Sequence, residues 1–200
     1  MSTLPPPSLS QVLKAETADE HERMEALMAQ AQPFGSRQAY ARFTAAQYLL
    51  QQDVEHFFAD PGLRLAVPDL QVRGRLQAAR DDLADLGAPV PEDAPATQGV
   101  GMPEALGWLY VSEGSTLGAA LLLKEAEQRL GLSATFGARN LAAYDGGRAQ
   151  VWKRFKSALD ARPAVEHAAV LAGARAAYQR FGALLAERVQ PRAPDVVRPA

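Results

Sequence analysis

Apolar residues recur at helical spacing along most of the chain, and groups of proline and glycine separate the periodic segments. Predicted helices cover residues 8–30, 36–58, 70–86, 103–130, 148–161 and 163–189, with a proline-rich surface loop at 87–103 and an irregular stretch or short helix at 131–147. The third helix carries charges along one side, at Arg73, Arg75, Arg80, Asp81, Asp82 and Asp85. No segment alternates polar and apolar residues convincingly, and β-branched residues are few. The pattern predicts an all-α protein.

Length and composition favour one globular domain, because 200 residues with 48 % hydrophobic residues can bury a substantial core. We expect a flexible N-terminus at 1–7, a helical domain at 8–190 and a flexible tail at 191–200. The net charge of −2 and the scattered lysines and arginines argue against nucleic-acid binding. The absence of cysteine excludes disulfides and thiolate metal sites. Without a signal peptide or a membrane-spanning run, the chain is expected to be a cytoplasmic monomer with no membrane partner.

The segment Val111–Leu123 places two glycines inside an otherwise strong predicted helix. Gly114 and Gly118 are four residues apart and therefore lie on the same helix face. Each glycine costs about 1 kcal/mol relative to alanine in a helix interior. Two explanations fit this cost. Either a neighbouring helix packs closely against the glycine face, or the face covers a flat ligand that no side chain can crowd.

His21 is the histidine that the helical pattern singles out among the three in the chain. The spacing of Leu13, Thr17, His21, Met24 and Met28 puts the imidazole on the inward stripe of the first helix. A histidine in that position is usually a core residue, but Glu25 lies one turn further on, where its carboxylate can orient the imidazole of a metal ligand. A pair that only stabilises the helix has the same spacing. We interpret His56 and His167 as structural or exposed.

Two segments resemble the heme oxygenase family. Thr17–Glu25 is similar to the helix that carries the family's proximal histidine, and Gly107–Ala120 is similar to the distal helix of the bacterial branch, which includes enzymes that supply bacteriophytochromes. The resemblance extends over about residues 8–189. It implies a single-domain helical bundle in which heme is sandwiched between a proximal helix and a glycine-bearing distal helix.

The resemblance also implies an oxygen-dependent enzyme that cleaves heme b, both its cofactor and its substrate, to biliverdin, carbon monoxide and ferrous iron. His21 then ligates the iron with Glu25 behind it, while Gly114, Gly118 and Ser115 form the catalytic distal wall. A ferredoxin, flavodoxin or reductase is the expected external electron donor. The IXα isomer is the expected product, for iron release or for supply to a bacteriophytochrome.

Heme propionates need cations or hydroxyl groups at the mouth of the pocket. The resemblance assigns Lys14, two turns before His21, to one basic contact and aligns Lys156 best with a second. Lys153 and Arg148 are alternatives on the same predicted helix, and Tyr110 is a further candidate. Each of the basic residues can equally be a solvated surface charge.

The distal segment departs from the animal pattern of the family at two positions. Ser115 stands where that branch has an aspartate that anchors distal water, and Ala119 replaces the second glycine of a pair. The water network is therefore built differently, through Ser115 or through residues of other helices. Two alternatives to the oxygenase remain: a heme-binding or heme-delivery protein without turnover, and a helical domain without heme.

Overall fold

The computed structural model describes residues 6–189, and these residues form eight α-helices and no β-strand. The helices are α1 (Leu9–Glu16), α2 (Ala18–Ala31), α3 (Arg37–Glu55), α4 (Pro61–Ala66), α5 (Leu76–Asp85), α6 (Glu104–Leu130), α7 (Arg148–Asp160) and α8 (His167–Val189). The prediction of an all-α fold is confirmed. The predicted flexible ends, 1–7 and 191–200, lie outside the described residues except for Pro6 and Pro7. In the described part of the chain, no helix is long and apolar enough to cross a membrane.

Side-chain caps and a glycine explain several of the helix boundaries. The backbone N–H of Ser8 donates to Oε1 of Gln11 at 2.9 Å where α1 begins, and Oγ of Ser36 accepts from the backbone N–H of Ala39 at 3.0 Å where α3 begins. Helix α6 ends at Gly131, whose φ of 65° lies in the left-handed region that glycine adopts without strain. These boundaries agree with the predicted ones to within one residue.

The first and third predicted helices are both interrupted. Thr17, with φ −116° and ψ 16°, separates α1 from α2, and its Oγ1 donates to the carbonyl oxygen of Leu13 at 2.8 Å. A short 3₁₀ turn at Leu70–Val72 precedes α5, which begins only at Leu76. The predicted polar side at 70–86 is wrong for Arg73, Arg75 and Asp82, which are buried. Their charges are satisfied inside the protein by partners distant in sequence.

Helices α6 and α8 pack at backbone contact in the centre of the core. A Cβ atom added at Gly107 would lie 2.0 Å from the carbonyl oxygen of Val170, and one added at Gly173 would lie 2.1 Å from the carbonyl oxygen of Glu104. No real Cβ atom tolerates such distances. The close helix packing that the sequence suggested for Gly114 and Gly118 is therefore made by a different pair of glycines.

Helix α2 and the second half of α6 leave apolar surface uncovered. None of the 14 residues of α2 is fully buried, although its residues Met24, Leu27 and Met28 are partly buried against the core. Every residue of α6 from Ala105 to Glu113 is buried, whereas Leu117 is 41 % and Leu121 is 72 % exposed further along. Both helices pack against α8. Helix α8 thus packs against two helices, α2 and α6, that each keep part of an apolar face exposed to solvent.

Candidate functional site: a cleft between α2 and α6

One cavity of about 150 Å³ lies at the inner end of the cleft between α2 and α6. Met24 and Met28 line it from α2, and Ala119 and Leu122 line it from α6. Helix α3 closes it from behind with Phe43. We call this space and the open surface leading to it the α2–α6 cleft.

His21 is exposed on α2, not buried in the core. Its side chain is 59 % exposed, and its Nδ1 lies 3.5 Å from Oε1 of Glu25, which is 70 % exposed. The ring also makes an edge contact with Tyr178 of α8, with 6.4 Å between ring centroids. Because Nδ1 faces the carboxylate, Nε2 on the far side of the ring is the nitrogen that can ligate a metal. The interpretation of His21 as a buried core residue is excluded by this exposure.

The two glycines near the middle of α6 do not lie against backbone atoms of another helix in the described part of the chain. A Cβ atom added at Gly118 would meet no neighbouring atom of the described residues within 4 Å. One added at Gly114 would touch the Trp152 indole at 3.5 Å, an ordinary van der Waals distance. Helix packing therefore does not require either glycine. Their cost in helix propensity is explained if a flat ligand approaches the backbone here.

Several buried polar atoms at the inner end of the cleft lack hydrogen-bond partners within the described residues. They are Oε1 of Gln47, Oε1 of Gln51, Oδ1 of Asn140 and Nε of Arg75, and all four residues line the cavity. Buried polar groups are normally satisfied by protein or by ordered water. The cavity has room for water, and it offers the several polar partners that a buried water needs. This end of the cleft is thus built to hold water.

Ser115 and Thr116 both turn their hydroxyl groups back onto α6. Oγ of Ser115 donates to the carbonyl oxygen of Ser112 at 2.7 Å, and Oγ1 of Thr116 donates to that of Glu113, also at 2.7 Å. The Ser115 hydroxyl proton is therefore engaged in a hydrogen bond within α6 and is not available to a ligand. Toward the cleft, which it also lines, this side chain acts as a hydrogen-bond acceptor.

A buried charged network supports α6 just before Gly114. Nη1 of Arg73 donates to Oε2 of Glu113 at 2.7 Å, and the Tyr144 hydroxyl donates to Oε1 of the same carboxylate at 3.0 Å. Burial raises the pKa of Glu113, while Arg73 lowers it. Burial and the nearby Glu113 raise the pKa of Tyr144 to about 12, so its hydroxyl remains a donor at neutral pH. Sequence reasoning missed this network because Glu113 is 40 residues from Arg73 and 31 residues from Tyr144.

The lysine candidates lie on two adjacent helices. Helix α1 contacts α7, where the backbone N–H of Ser10 donates to Oδ1 of Asp160 at 2.7 Å. Lys14 is in the last turn of α1, and Lys153 and Lys156 are on α7. Lys14 and Lys153 are exposed, and Lys156 is half-buried. The break at Thr17 places Lys14 on a separate helix from His21, which corrects the single helix that the sequence predicted.

Tyr110 and Arg148 occupy enclosed positions. The Tyr110 ring packs on Trp152 with 5.5 Å between centroids, and burial raises the pKa of Tyr110 to about 12. The guanidinium of Arg148 donates to the carbonyl oxygens of Thr116 at 3.0 Å and Leu141 at 2.5 Å. Arg148 is therefore engaged by backbone oxygens, whereas the three lysines are exposed or half-buried residues.

The two helices that line this apolar cleft with a polar inner end carry an exposed imidazole on α2 and two glycines on α6, features that together define an α-helical protein with a heme site. The apolar walls suit a porphyrin, the free Nε2 of His21 suits its iron, and the open face at Gly118 admits a flat ring. The residues present therefore fit heme.

Comparison with known proteins identifies the family. The sequence matches the heme oxygenase family model over residues 7–187. It is 47 % identical over 194 residues to heme oxygenase PigA of Pseudomonas aeruginosa, covering 92 % of this chain and 98 % of that protein. It is 32 % identical over 157 residues to a heme oxygenase of Xanthomonas campestris, covering 76 % of this chain and 92 % of that protein. The chain belongs to the heme oxygenase family.

Solved structures agree with this assignment. The fold matches the NO- and CO-bound heme oxygenase of Neisseria meningitidis with a TM-score of 0.85 and 32 % identity, covering 97 % of this chain and all of that one. It also matches heme oxygenase 2 of Chlamydomonas reinhardtii with a TM-score of 0.77 and 16 % identity, over 94 % of this chain and all of that one, a likeness of fold. The predicted fold and activity are confirmed: the protein is a heme-degrading oxygenase that binds heme and uses oxygen.

Proposed function

We propose that this heme oxygenase opens heme to biliverdin IXα and releases carbon monoxide and ferrous iron. The observation that carries the proposal is the cavity between α2 and α6, which is lined on α2 by Met24, one turn after the exposed His21, and on α6 by Ala119, the residue after Gly118. Bound heme supplies the iron that activates oxygen and the ring that is cleaved. Residues of the chain bind and orient the heme, shape the site and hold the water that supplies protons.

His21 and Glu25 hold the heme from the α2 side. A neutral imidazole donates Nε2 to the iron, and the Glu25 carboxylate 3.5 Å from Nδ1 sets the ring orientation and raises its basicity. His21 would be the one protein ligand to the iron, which would leave a coordination position for oxygen.

Gly114, Gly118 and Ser115 form the opposite wall. A Cβ atom at Gly118 would meet no atom of residues 6–189 within 4 Å, so the backbone could lie directly over a flat ring. Ser115, whose proton is bound to the Ser112 carbonyl oxygen, offers an acceptor at this wall. The close wall restricts where oxygen can point, which favours attack on one edge of the ring.

Protons reach this wall through water held at the inner end of the cleft. Among residues 6–189, no hydrogen-bond partner is found there for the side-chain carbonyl oxygens of Gln47, Gln51 and Asn140, or for Nε of Arg75. Water bound to these groups takes the place of the acidic side chain that the animal branch uses. The proposal is therefore that residues outside α6 complete the water network at Ser115.

Lys14, Lys153 or Lys156 would hold the propionates at the mouth of the cleft, and the protonated Tyr110 hydroxyl would be a neutral donor to them. The support for this placement is the contact between α1 and α7, which brings the lysine-bearing helices together. Two cationic contacts on adjacent helices set the in-plane seating of the ring, and that seating selects the isomer. We propose the IXα isomer on this basis and on the resemblance.

The finer biological setting is also a proposal. We propose a ferredoxin, a flavodoxin or a reductase as the electron donor, because ring opening consumes electrons that the chain does not supply. A bacteriophytochrome is the proposed recipient of biliverdin, with iron release as the other purpose. A cytoplasmic location is proposed with them.

Adding one equivalent of hemin, followed by a reductant in air, tests the function. We expect a histidine-ligated Soret band that decays while a broad red bile-pigment absorption grows, and the extracted pigment should be the α isomer. A Soret band that persists through reduction would identify a heme carrier instead. A different isomer would refute the proposed seating but not the oxygenase activity.

Replacing Gly118 with alanine should stabilise the protein without heme and impair the protein with heme. The new methyl group meets open space in the apoprotein, and alanine is the better helix former by about 1 kcal/mol. With heme bound, the same methyl group overpacks the site, which costs about 1–3 kcal/mol, or about 5- to 150-fold in affinity or turnover. Thermal unfolding of the apoprotein and hemin titration measure the two effects. Effects of the same sign would contradict a flat ligand at Gly118.

A further inference from the structure

The middle of α6, which lines the cleft, has a low intrinsic helix propensity. Gly114 and Gly118 each lower helix propensity by about 1 kcal/mol relative to alanine. Between them, the Ser115 and Thr116 hydroxyls bond back to carbonyl oxygens of the preceding turn, an arrangement that often bends helices. If the α6 backbone at residues 114–118 is to stay at a fixed distance from a flat ligand, contacts from outside the helix must hold it in position.

Arg148, the first residue of α7, makes such a contact in the middle of this segment. Its Nη1 donates to the carbonyl oxygen of Thr116 at 3.0 Å, midway between the two glycines. Its Nη2 donates to the carbonyl oxygen of Leu141 at 2.5 Å, and Nη1 also lies 3.4 Å from that of Ala142. A charged donor to a carbonyl oxygen is a strong hydrogen bond. The guanidinium thus bridges α6 to the segment 141–142 through two separate nitrogens.

The segment at the other end of this bridge is itself anchored. The buried Asp82 carboxylate of α5 accepts from the backbone N–H groups of Arg139 and Asn140, both at 2.8 Å. The buried Arg75 donates to the carbonyl oxygen of Asn140 at 2.7 Å and to that of Ala142 at 2.8 Å. The bridge therefore joins α6 to a rigid part of the fold.

The charge environment of Arg148 also favours this role. Its guanidinium lies near that of Arg75, since both donate to the Ala142 carbonyl oxygen. Burial, with the nearby Arg75, lowers the pKa of Arg148. Its partners in the described residues are backbone oxygens of Thr116, Leu141 and Ala142. A propionate contact would require the side chain to release the backbone oxygens that now satisfy it.

We infer that Arg148 is a positioning residue, which fixes the height of the glycine wall of the cleft by tethering the Thr116 carbonyl oxygen to the segment 141–142. The tether itself is independent of heme. Its consequence for turnover rests on the proposed function, because a wall that moves away from the ring orients oxygen less well. The alternative from the sequence, in which Arg148 binds a propionate, makes opposite predictions.

Hydrogen–deuterium exchange on the apoprotein separates these roles. Arg148→Met keeps a long apolar stem but removes every donor. We expect exchange in residues 116–123 to be faster by about tenfold, the scale of losing a charged hydrogen bond, with exchange in α3 unchanged. Arg154→Met is the matched control on α7, because Arg154 pairs with Asp69 and not with α6. It should leave 116–123 unchanged.

A lysine variant and a hemin titration complete the test. Arg148→Lys keeps one charge but cannot bridge two carbonyl oxygens through separate nitrogens, so its exchange in 116–123 should fall between wild type and Arg148→Met. It also carries the comparison if the methionine variant does not fold. With hemin, kcat should fall more than hemin affinity in both variants.

Unchanged exchange in 116–123 in both variants would overturn the tether, as would acceleration spread equally over α3 and α8. Lower hemin affinity with unchanged exchange would assign Arg148 to a propionate. The variants could show faster exchange in 116–123 while the wild-type protein leaves heme intact. That result would support the tether and refute the proposed function. Each result thus separates the two claims.

Discussion

Replacing Gly107 with alanine should destabilise the protein by about 3 kcal/mol or more, the upper range for overpacking a core. The added Cβ atom would lie 2.0 Å from the carbonyl oxygen of Val170 and 2.4 Å from the backbone nitrogen of Ala174. Both are backbone atoms of α8, so no side-chain rotation can relieve the clash. The two long helices would have to move apart, and the cleft that they support would change with them.

Chemical denaturation of the apoprotein measures this effect, with Gly118→Ala as the matched control. Both variants add one methyl group to the same helix, and both gain the same helix propensity. We expect opposite signs, because Gly107 faces backbone atoms and Gly118 faces open space. A Gly107→Ala protein as stable as wild type would show that α6 and α8 do not cross at backbone contact.

Replacing His21 with alanine should abolish the histidine-ligated spectrum with hemin and reduce ring opening by more than about 100-fold. Loss of a partner behind a metal ligand typically costs about 10–100-fold, and loss of the ligand itself costs more. The apoprotein should change in stability by less than about 0.5 kcal/mol, because the side chain is 59 % exposed and packs little. A large loss of function with no loss of stability is the signature of a ligand.

Two variants bracket this result. Glu25→Gln should keep the ligand but weaken its orientation, with a turnover defect of about 10–100-fold. His56→Ala removes another exposed histidine, at the end of α3, and should leave the hemin spectrum unchanged. A histidine-ligated spectrum in His21→Ala would show that a different residue holds the iron.

Helix content and several helix ends were predictable because their causes are local. Ser36 and Gly131 act through hydrogen bonds and backbone angles within a few residues, which the sequence displays directly. The break at Thr17 was missed because its neighbours continue the helical pattern on both sides. Thr17 is itself buried, so tertiary contacts compete with helix propensity there.

The principal site residues were also chosen from local features, but the tertiary structure decided between their interpretations. The spacing of His21 and Glu25 and of Gly114 and Gly118 follows from helix geometry alone. Whether His21 is core or ligand depends on its exposure, and whether a glycine is needed for packing depends on which helix lies opposite. The structure places helix contacts at Gly107 and Gly173 and leaves Gly118 open.

The buried charges lay beyond sequence reasoning altogether. A helix side with this many charges is expected to face solvent. Instead, three of the charged residues are buried and pair with partners 40 to 67 residues away: Arg73, Arg75 and Asp82. Arg148 is a residue type that can bind a propionate, yet its guanidinium donates to backbone oxygens of α6 and of the segment before α7. A backbone carbonyl has no residue-specific signal, so the sequence can locate a charged side chain without revealing the acceptor that the fold brings to it.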